Sequence, residues 1–95
     1  MLVLSRRLGE SVVIDDEAIA TVAVIGRDFV ELSLTRLDGS VLGLAALGLG
    51  ELTPVFAGVR GIIVRMETAG VRLGFEGHTG SRIDRHEHWG PRRHF

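Results

Sequence analysis

The residues of this chain best suited to chemistry are its arginines. All eleven basic residues are arginine, and lysine is absent. Arg6 and Arg7 stand together near the start, and Arg82 and Arg85 near the end. A guanidinium offers a planar fork of donors that pairs with carboxylates, phosphates and base edges and stacks on flat rings. A high-GC genome would produce the same bias. Asp15-Asp16-Glu17 could suggest a metal or an acid/base site, but no partner ligands follow at a useful spacing, and three acids at a strand boundary read as a solvated turn. His86 and His88 alternate along a strand and could approach a metal with His78; the spacing is poor and the chain has no cysteine, so a solvent-facing or ligand-proximal role is preferred. Gly48-Leu49-Gly50 has no following Lys-Ser/Thr and opens no helix, so it is not a nucleotide loop. No Ser/His/Asp pattern with context is present. The expectation is a protein that is not an enzyme, with no metal and no cofactor.

The elements that must position these groups read as strands. Apolar residues alternate with a period of two and are often β-branched. Leu2, Leu4 and Arg6 share one face of a first segment. Val12 to Ile14, Ile19 to Ile25, Phe29 to Leu34 and Ser40 to Leu47 follow, separated by turn compositions such as Gly26-Arg27-Asp28 and Leu37-Asp38-Gly39. Ile62 to Met66, Val71 to Phe75 and Arg82 to Glu87 continue the series. The one short helical candidate, Leu44 to Leu49, is weakened by its glycines. The 95 residues, 45% of them hydrophobic, suit one compact unit or two very small intertwined ones. No run approaches the ~20 apolar residues of a membrane span, and Arg6 and Arg7 lead into Gly9 and Glu10 rather than into an apolar signal core. A cytoplasmic protein with no membrane contact is expected.

The net charge of −1 argues against a general nucleic-acid coat, but it hides a gradient. Residues 1–80 carry seven arginines against ten acids, whereas residues 81–95 carry four arginines against two. The end of the chain is therefore the basic part.

The chain also repeats itself. A shift of 41 residues lays Leu8-Gly9-Glu10 on Leu49-Gly50-Glu51, Val30 on Val71, Leu32 on Leu73 and Gly39-Ser40 on Gly80-Ser81, without a gap. Val22 meets Ile63 and Leu42 meets Ile83. An internal duplication accounts for this order of matches. Copy one spans 1–47 and copy two 42–89, so Leu42 to Leu47 ends one and begins the other; 90–95 is a basic tail. The recurrence of Glu10 and Glu51 at one repeat position is read as a turn or strand-start role.

Met1-Leu-Val-Leu-Ser-Arg-Arg-Leu-Gly-Glu-Ser-Val-Val-Ile14 resembles the opening of the carbon storage regulator family of RNA-binding translational regulators, including its Leu-Thr/Ser-Arg-Arg-x-Gly-Glu pattern. Gly70-Val-Arg-Leu-Gly-Phe-Glu76 is similar to that family's fourth strand, and Ser81-Arg-Ile-Asp-Arg-His-Glu87 stands where it has a basic fifth strand. The resemblance implies an all-β fold, a small intertwined sandwich or barrel of antiparallel and mixed strands. Tandem five-strand units would here form a pseudo-dimer within one chain. It implies binding of GGA-containing hairpin loops in mRNA leaders, or of small regulatory RNAs, between a first and a fifth strand. By that resemblance Leu4, Arg6 and Arg7 supply one half of an RNA site, and Ile83 and Arg85, with Arg82 beside them, supply the other. Because adjacent strand residues point to opposite faces, one of Arg6 and Arg7 is expected to face RNA and the other to brace a neighbouring strand.

The departures from the family pattern carry as much information. Under the repeat, Arg6 and Arg7 map to Leu47 and Gly48, and Arg85 maps to Leu44, so one working site per chain is expected. Glu76-Gly77-His78 and Thr35-Arg36-Leu37 stand where the family has Ala-Pro, and His86 stands where it favours an acid. Gly90-Pro91 opposes a C-terminal helix, and Trp89 could either stack on a base or close the core. A homodimer with residues 35–70 as an inserted layer is the alternative assembly. A protein-interaction module that has lost RNA binding is the alternative function, with a flagellar assembly factor as the partner the resemblance implies.

Overall fold

The computed structural model describes residues 1–78 and 80–88, with His88 described by its backbone only. Trp89 and the 90–95 tail lie outside the described residues. The described residues form nine strands, β1 (Leu2–Arg6), β2 (Ser11–Ile14), β3 (Ala18–Ile25), β4 (Phe29–Arg36), β5 (Val41–Gly48), β6 (Thr53–Phe56), β7 (Val59–Glu67), β8 (Gly70–Glu76) and β9 (Ile83–Arg85), and then a 3-10 turn (His86–His88). They make two sheets, ordered β1-β8-β7-β6 and β5-β4-β3-β2-β9. The fold is all-β, as the two-residue periodicity requires.

Three details differ from expectation. Every ladder is antiparallel, and the parallel component is reduced to an isolated bridge between Leu49 and Ile63. β6 was not foreseen, because Pro54 hides a four-residue strand. Proline lacks an N–H and is tolerated only where no ladder bond is needed, and β6 is an edge strand. The last strand is shorter than Arg82 to Glu87. Residues 86–88 turn instead, so His86 and His88 do not alternate along a strand.

The sheets share one core, to which Leu4, Ile14, Leu32, Leu47, Ile63, Leu73 and Phe75 contribute. Its layout follows the 41-residue shift closely. Arg6 pairs with Val71 across β1 and β8, and Leu47 pairs with Val30 across β5 and β4, which are the same two positions with the halves exchanged. The β3–β4 ladder slips between Val22 and Val24, and the β7–β8 ladder slips between Ile63 and Arg65. Each slip is a bulge that reverses the facing of the strand. Before it Val22 and Ile63 are buried; after it Ile25 and Met66 turn inward onto the core.

The repeated Leu-Gly-Glu triplet has a turn role in both places. Gly9 and Gly50 have φ of 86° and 75°, a region that glycine enters without a Cβ penalty. The Gly9 N–H donates to the Val22 carbonyl at 2.8 Å, and the Gly50 N–H donates to that of Ile63 at 3.1 Å. Each triplet thus carries the chain from one strand across to the bulge of another.

Volume is exchanged between equivalent pairs. Ala20 faces Leu34 in one half, and Gly61 faces Phe75 in the other. A Cβ on Gly61 would lie 3.2 Å from Leu47 Cδ1 and Val55 Cγ2 and 3.3 Å from Phe75 Cε1. The larger Phe75 ring stands opposite a residue without a Cβ. Gly61→Ala is expected to destabilise the fold by about 1 kcal/mol through overpacking, and Phe75→Leu by about 1 kcal/mol through lost volume. The double variant recreates the Ala/Leu pair and should be more stable than the sum of the two losses, as read from urea unfolding midpoints.

Candidate functional site

The two chain-end strands come together at one margin of the molecule. β1 is the edge of its sheet and bonds only β8, and β9 is the edge of the other and bonds only β2. Each therefore leaves one row of main-chain groups outside any ladder. At one end of β1, Met1 and Leu2 line a cleft with Ile83, Phe75, Gly77, His78 and Ser81, of about 340 Å³. At its other end, Arg6 reaches Glu87. The starts of β1 and β9 thus face one another across the cleft, and beyond their ends they are tied by the Arg6–Glu87 bond.

Arg6 is the brace. It is only 4% exposed, although it is a charged side chain on a five-residue edge strand. Its two terminal nitrogens donate to the two carboxylate oxygens of Glu87 at 2.8 and 2.7 Å. Nη1 also donates to the Ser11 carbonyl at 3.0 Å, and Nε to that of Ser5 at 2.8 Å. The bidentate bond to Glu87 raises the Arg6 pKa above its ordinary value against the opposing effect of burial, and Glu10 adds to the rise. Nearby, the Ser11 and Thr21 hydroxyls bond at 2.7 Å. This polar cluster holds the last turn of the chain onto its first strand.

Arg7 stands just past the end of β1 and lies on the surface. Its side chain is exposed and forms no hydrogen bond or salt bridge among the described residues, while its N–H donates to Glu10 Oε1 at 2.7 Å. Arg85 is half-buried on β9 opposite Val12, and its guanidinium also has no such partner among the described residues. Among the described residues, these two arginines are left available at this margin.

The remaining candidates divide. Leu4 is 1% exposed and belongs to the core, so its side chain cannot meet a ligand and only its main chain can. Ile83 is half-buried and lines the cleft. Arg82 is engaged: Nε donates to Asp84 at 2.8 Å, Nη1 to Asp16 at 3.5 Å, and its N–H to Asp15 at 2.7 Å. The acid triplet is therefore a tight turn, with φ of 55° and 54° at Asp15 and Asp16, that also anchors the start of β9. Sequence reasoning missed Glu87 as the partner of Arg6. Nothing local marks it, because the pair spans almost the whole chain. Nor was the place of His78 and Ser81 beside the cleft foreseen from the sequence.

The equivalent place in the other half has no such chemistry. Under the 41-residue shift Leu47, Ala46, Leu52 and Ile62 stand where Arg6, Glu87, Ser11 and Thr21 stand. All four polar members of the cluster are replaced together by apolar ones, and Leu47 is as buried as Arg6. Comparison of the chain with models of known families, with curated proteins and with solved structures finds no match.

Glu87→Ala leaves a buried guanidinium with two carbonyls and the Glu10 carboxylate at 4.0 Å, and is expected to cost about 1–3 kcal/mol of stability. Adding Arg6→Leu, which copies the Leu47/Ala46 arrangement, should recover most of that loss, since an intact apolar replacement of an ion pair is often neutral. Chemical denaturation of the two variants beside the parent chain measures this.

Proposed function

We propose that this chain is a non-enzymatic RNA-binding regulator of translation, a cytoplasmic relative of the carbon storage regulators in which two copies of the five-strand unit are fused. It takes the unpaired bases of a GGA-containing hairpin loop in an mRNA leader. The observation that carries the reading is that the edge strands β1 and β9 share one margin, linked by the cleft at their starts and the Arg6–Glu87 bond, with Arg7 and Arg85 unengaged beside them. Single-stranded loops splay their base edges, and free edge-strand amides, carbonyls and arginine forks suit them. The first-strand motif supports it, as does the common register of the two halves. Arg7 and Arg85 are assigned to the RNA, Ile83 and the main chain of Leu4 to the floor, and Arg6 and Arg82 to holding the two strands in place.

One RNA site per chain follows, because the central equivalents of Arg6, Arg7 and Arg85 are Leu47, Gly48 and Leu44. The net charge of −1 confines attraction to this margin, so affinity depends on a few close contacts. The second reading, a protein-interaction module that has lost RNA binding, is favoured by the apolar centre of the chain. Absence of hairpin binding at low salt would select it.

Titration of the full chain with a GGA hairpin, followed by native mass, should give one RNA per 10.3 kDa chain. Arg85→Ala and Arg7→Ala should each weaken binding by about 1.5–3 kcal/mol, whereas Arg27→Ala should leave it unchanged. A hairpin with GGA replaced by CCA should not bind. If Arg7 meets a phosphate, its loss lowers the slope of log K against log salt by about 0.7. Two hairpins per chain, or normal binding by Arg85→Ala, would overturn the assignment.

A further inference from the structure

The outer face of the four-stranded sheet carries a second group of arginines. Arg65 on β7 and Arg72 on β8 stand directly opposite one another, and Arg72 also pairs with Ser5 on β1. The bulge at Val64 turns Arg65 outward, where strict alternation from the buried Ile63 would point it into the core. Ser5, Arg72 and Arg65 thus form one row across three strands, on the side away from Leu4, Leu73 and Ile63. A Cβ on Gly70 would meet the Arg6 carbonyl and lie 3.3 Å from Arg7 Cα, so the chain leaving β1 lies over the start of β8 beside this row. The fold makes little use of these charges. Like charges directly opposite on a sheet oppose its pairing. Arg65 Nη2 donates to Glu67 Oε2 at 3.1 Å, and its side chain is still 66% exposed. Arg72 Nη1 donates to the Ser5 hydroxyl at 3.4 Å, and Arg72 is in no salt bridge among the described residues. In the other half the row reads Ala46, Glu31 and Val24, one acid between two apolar residues.

We infer that the Ser5–Arg72–Arg65 row holds phosphates of the double-stranded stem of the hairpin, so that the RNA leaves the β1–β9 margin across β1 toward β8 and β7. This inference rests on the RNA reading above. The charges choose the direction. On the β9 side, Asp15, Asp16 and Asp84 hold Arg82 and would meet a phosphate backbone with acids. On the β1 side the row spans two strand spacings, about 10 Å from Ser5 to Arg65, and extended arginines reach several phosphates of one strand from it. A guanidinium fork suits a phosphate, and an anion between Arg65 and Arg72 offsets their repulsion. Glu67 is the acid bonded to the pair, and a phosphate competes with it for Arg65. Contacts of this kind position a nucleic acid and do not read its sequence. Base recognition stays with the margin, while the row adds affinity and fixes the direction of the stem.

Two probes separate the row from the margin: a GGA hairpin with a long stem, and a single-stranded GGA oligonucleotide with no stem. On the full chain, Arg65→Gln and Arg72→Gln should each weaken hairpin binding by roughly three- to tenfold and lower the slope of log K against log salt by about 0.7–0.9. Both should leave affinity for the stemless oligonucleotide unchanged. Glu67→Gln removes the competing acid and should tighten hairpin binding. Arg60→Gln, whose partner is Glu76 at the other end of the sheet, should change neither affinity. Hairpin binding by both arginine variants at the parent's affinity overturns the inference and leaves the RNA reading standing. So does an equal loss on the stemless oligonucleotide, which places the pair at the loop. A parent chain that binds neither probe overturns the RNA reading itself and this inference with it, so the two failures are told apart.

Discussion

The pairing of the two chain-end strands with the opposite half constrains everything else in this fold. β1 leaves its sequence neighbours to bond β8, and β9 returns to bond β2. Each sheet is therefore made from both halves of the chain. Neither half has a complete sheet or core of its own. Such ladders close loops of most of the chain length, which costs entropy before any contact offsets it. The offset comes from burying Leu4 and Leu73 on one side and Val12 and Ile14 on the other in a common core. The position of every group near the β1–β9 margin is a consequence of this exchange.

The Arg6 cluster and its apolar counterpart are two solutions to one packing problem. A strand from one half ends over the core, and the cavity beneath its last residue must be filled. In one place Arg6 fills it and requires Glu87 and two carbonyls to satisfy its donors. In the other Leu47 fills it and requires nothing. A buried charge with one partner missing is costly, whereas a full replacement by apolar groups is tolerated. This accounts for the four positions differing as a set between the two places. It also explains why the two margins differ so much in chemistry: the ionic solution leaves arginines at one edge, and the apolar one leaves leucines at the other.

Much of the fold could be read from the residues. The two-residue period of Val12 to Ile14 and Val71 to Phe75 requires strands, and Gly9 and Gly50 mark the same turn twice. β6 could not be read, since Thr53-Pro54-Val55-Phe56 has the composition of a loop and becomes a strand only because an edge position tolerates proline. The end of β9 was overextended because Arg82 to Glu87 keeps an alternating pattern. Residues 86–88 form a turn instead, in which Glu87 accepts both bonds from the buried Arg6 guanidinium.

For the candidate site, residue types were legible and their roles were not. The sequence determined which groups are available, two adjacent arginines at one end and Arg82 and Arg85 at the other, and it determined that the middle of the chain lacks them. That Arg6 and Arg7 differ in role follows from strand geometry alone. Which of the two faces inward was decided by the tertiary structure, because it depends on a carboxylate 81 positions away. The same holds for Arg82, held by Asp16 and Asp84, and for Arg85, left unengaged. Local sequence sets the chemistry a side chain can perform. Whether it is spent within the fold or remains for a ligand depends on partners that only the folded chain brings near.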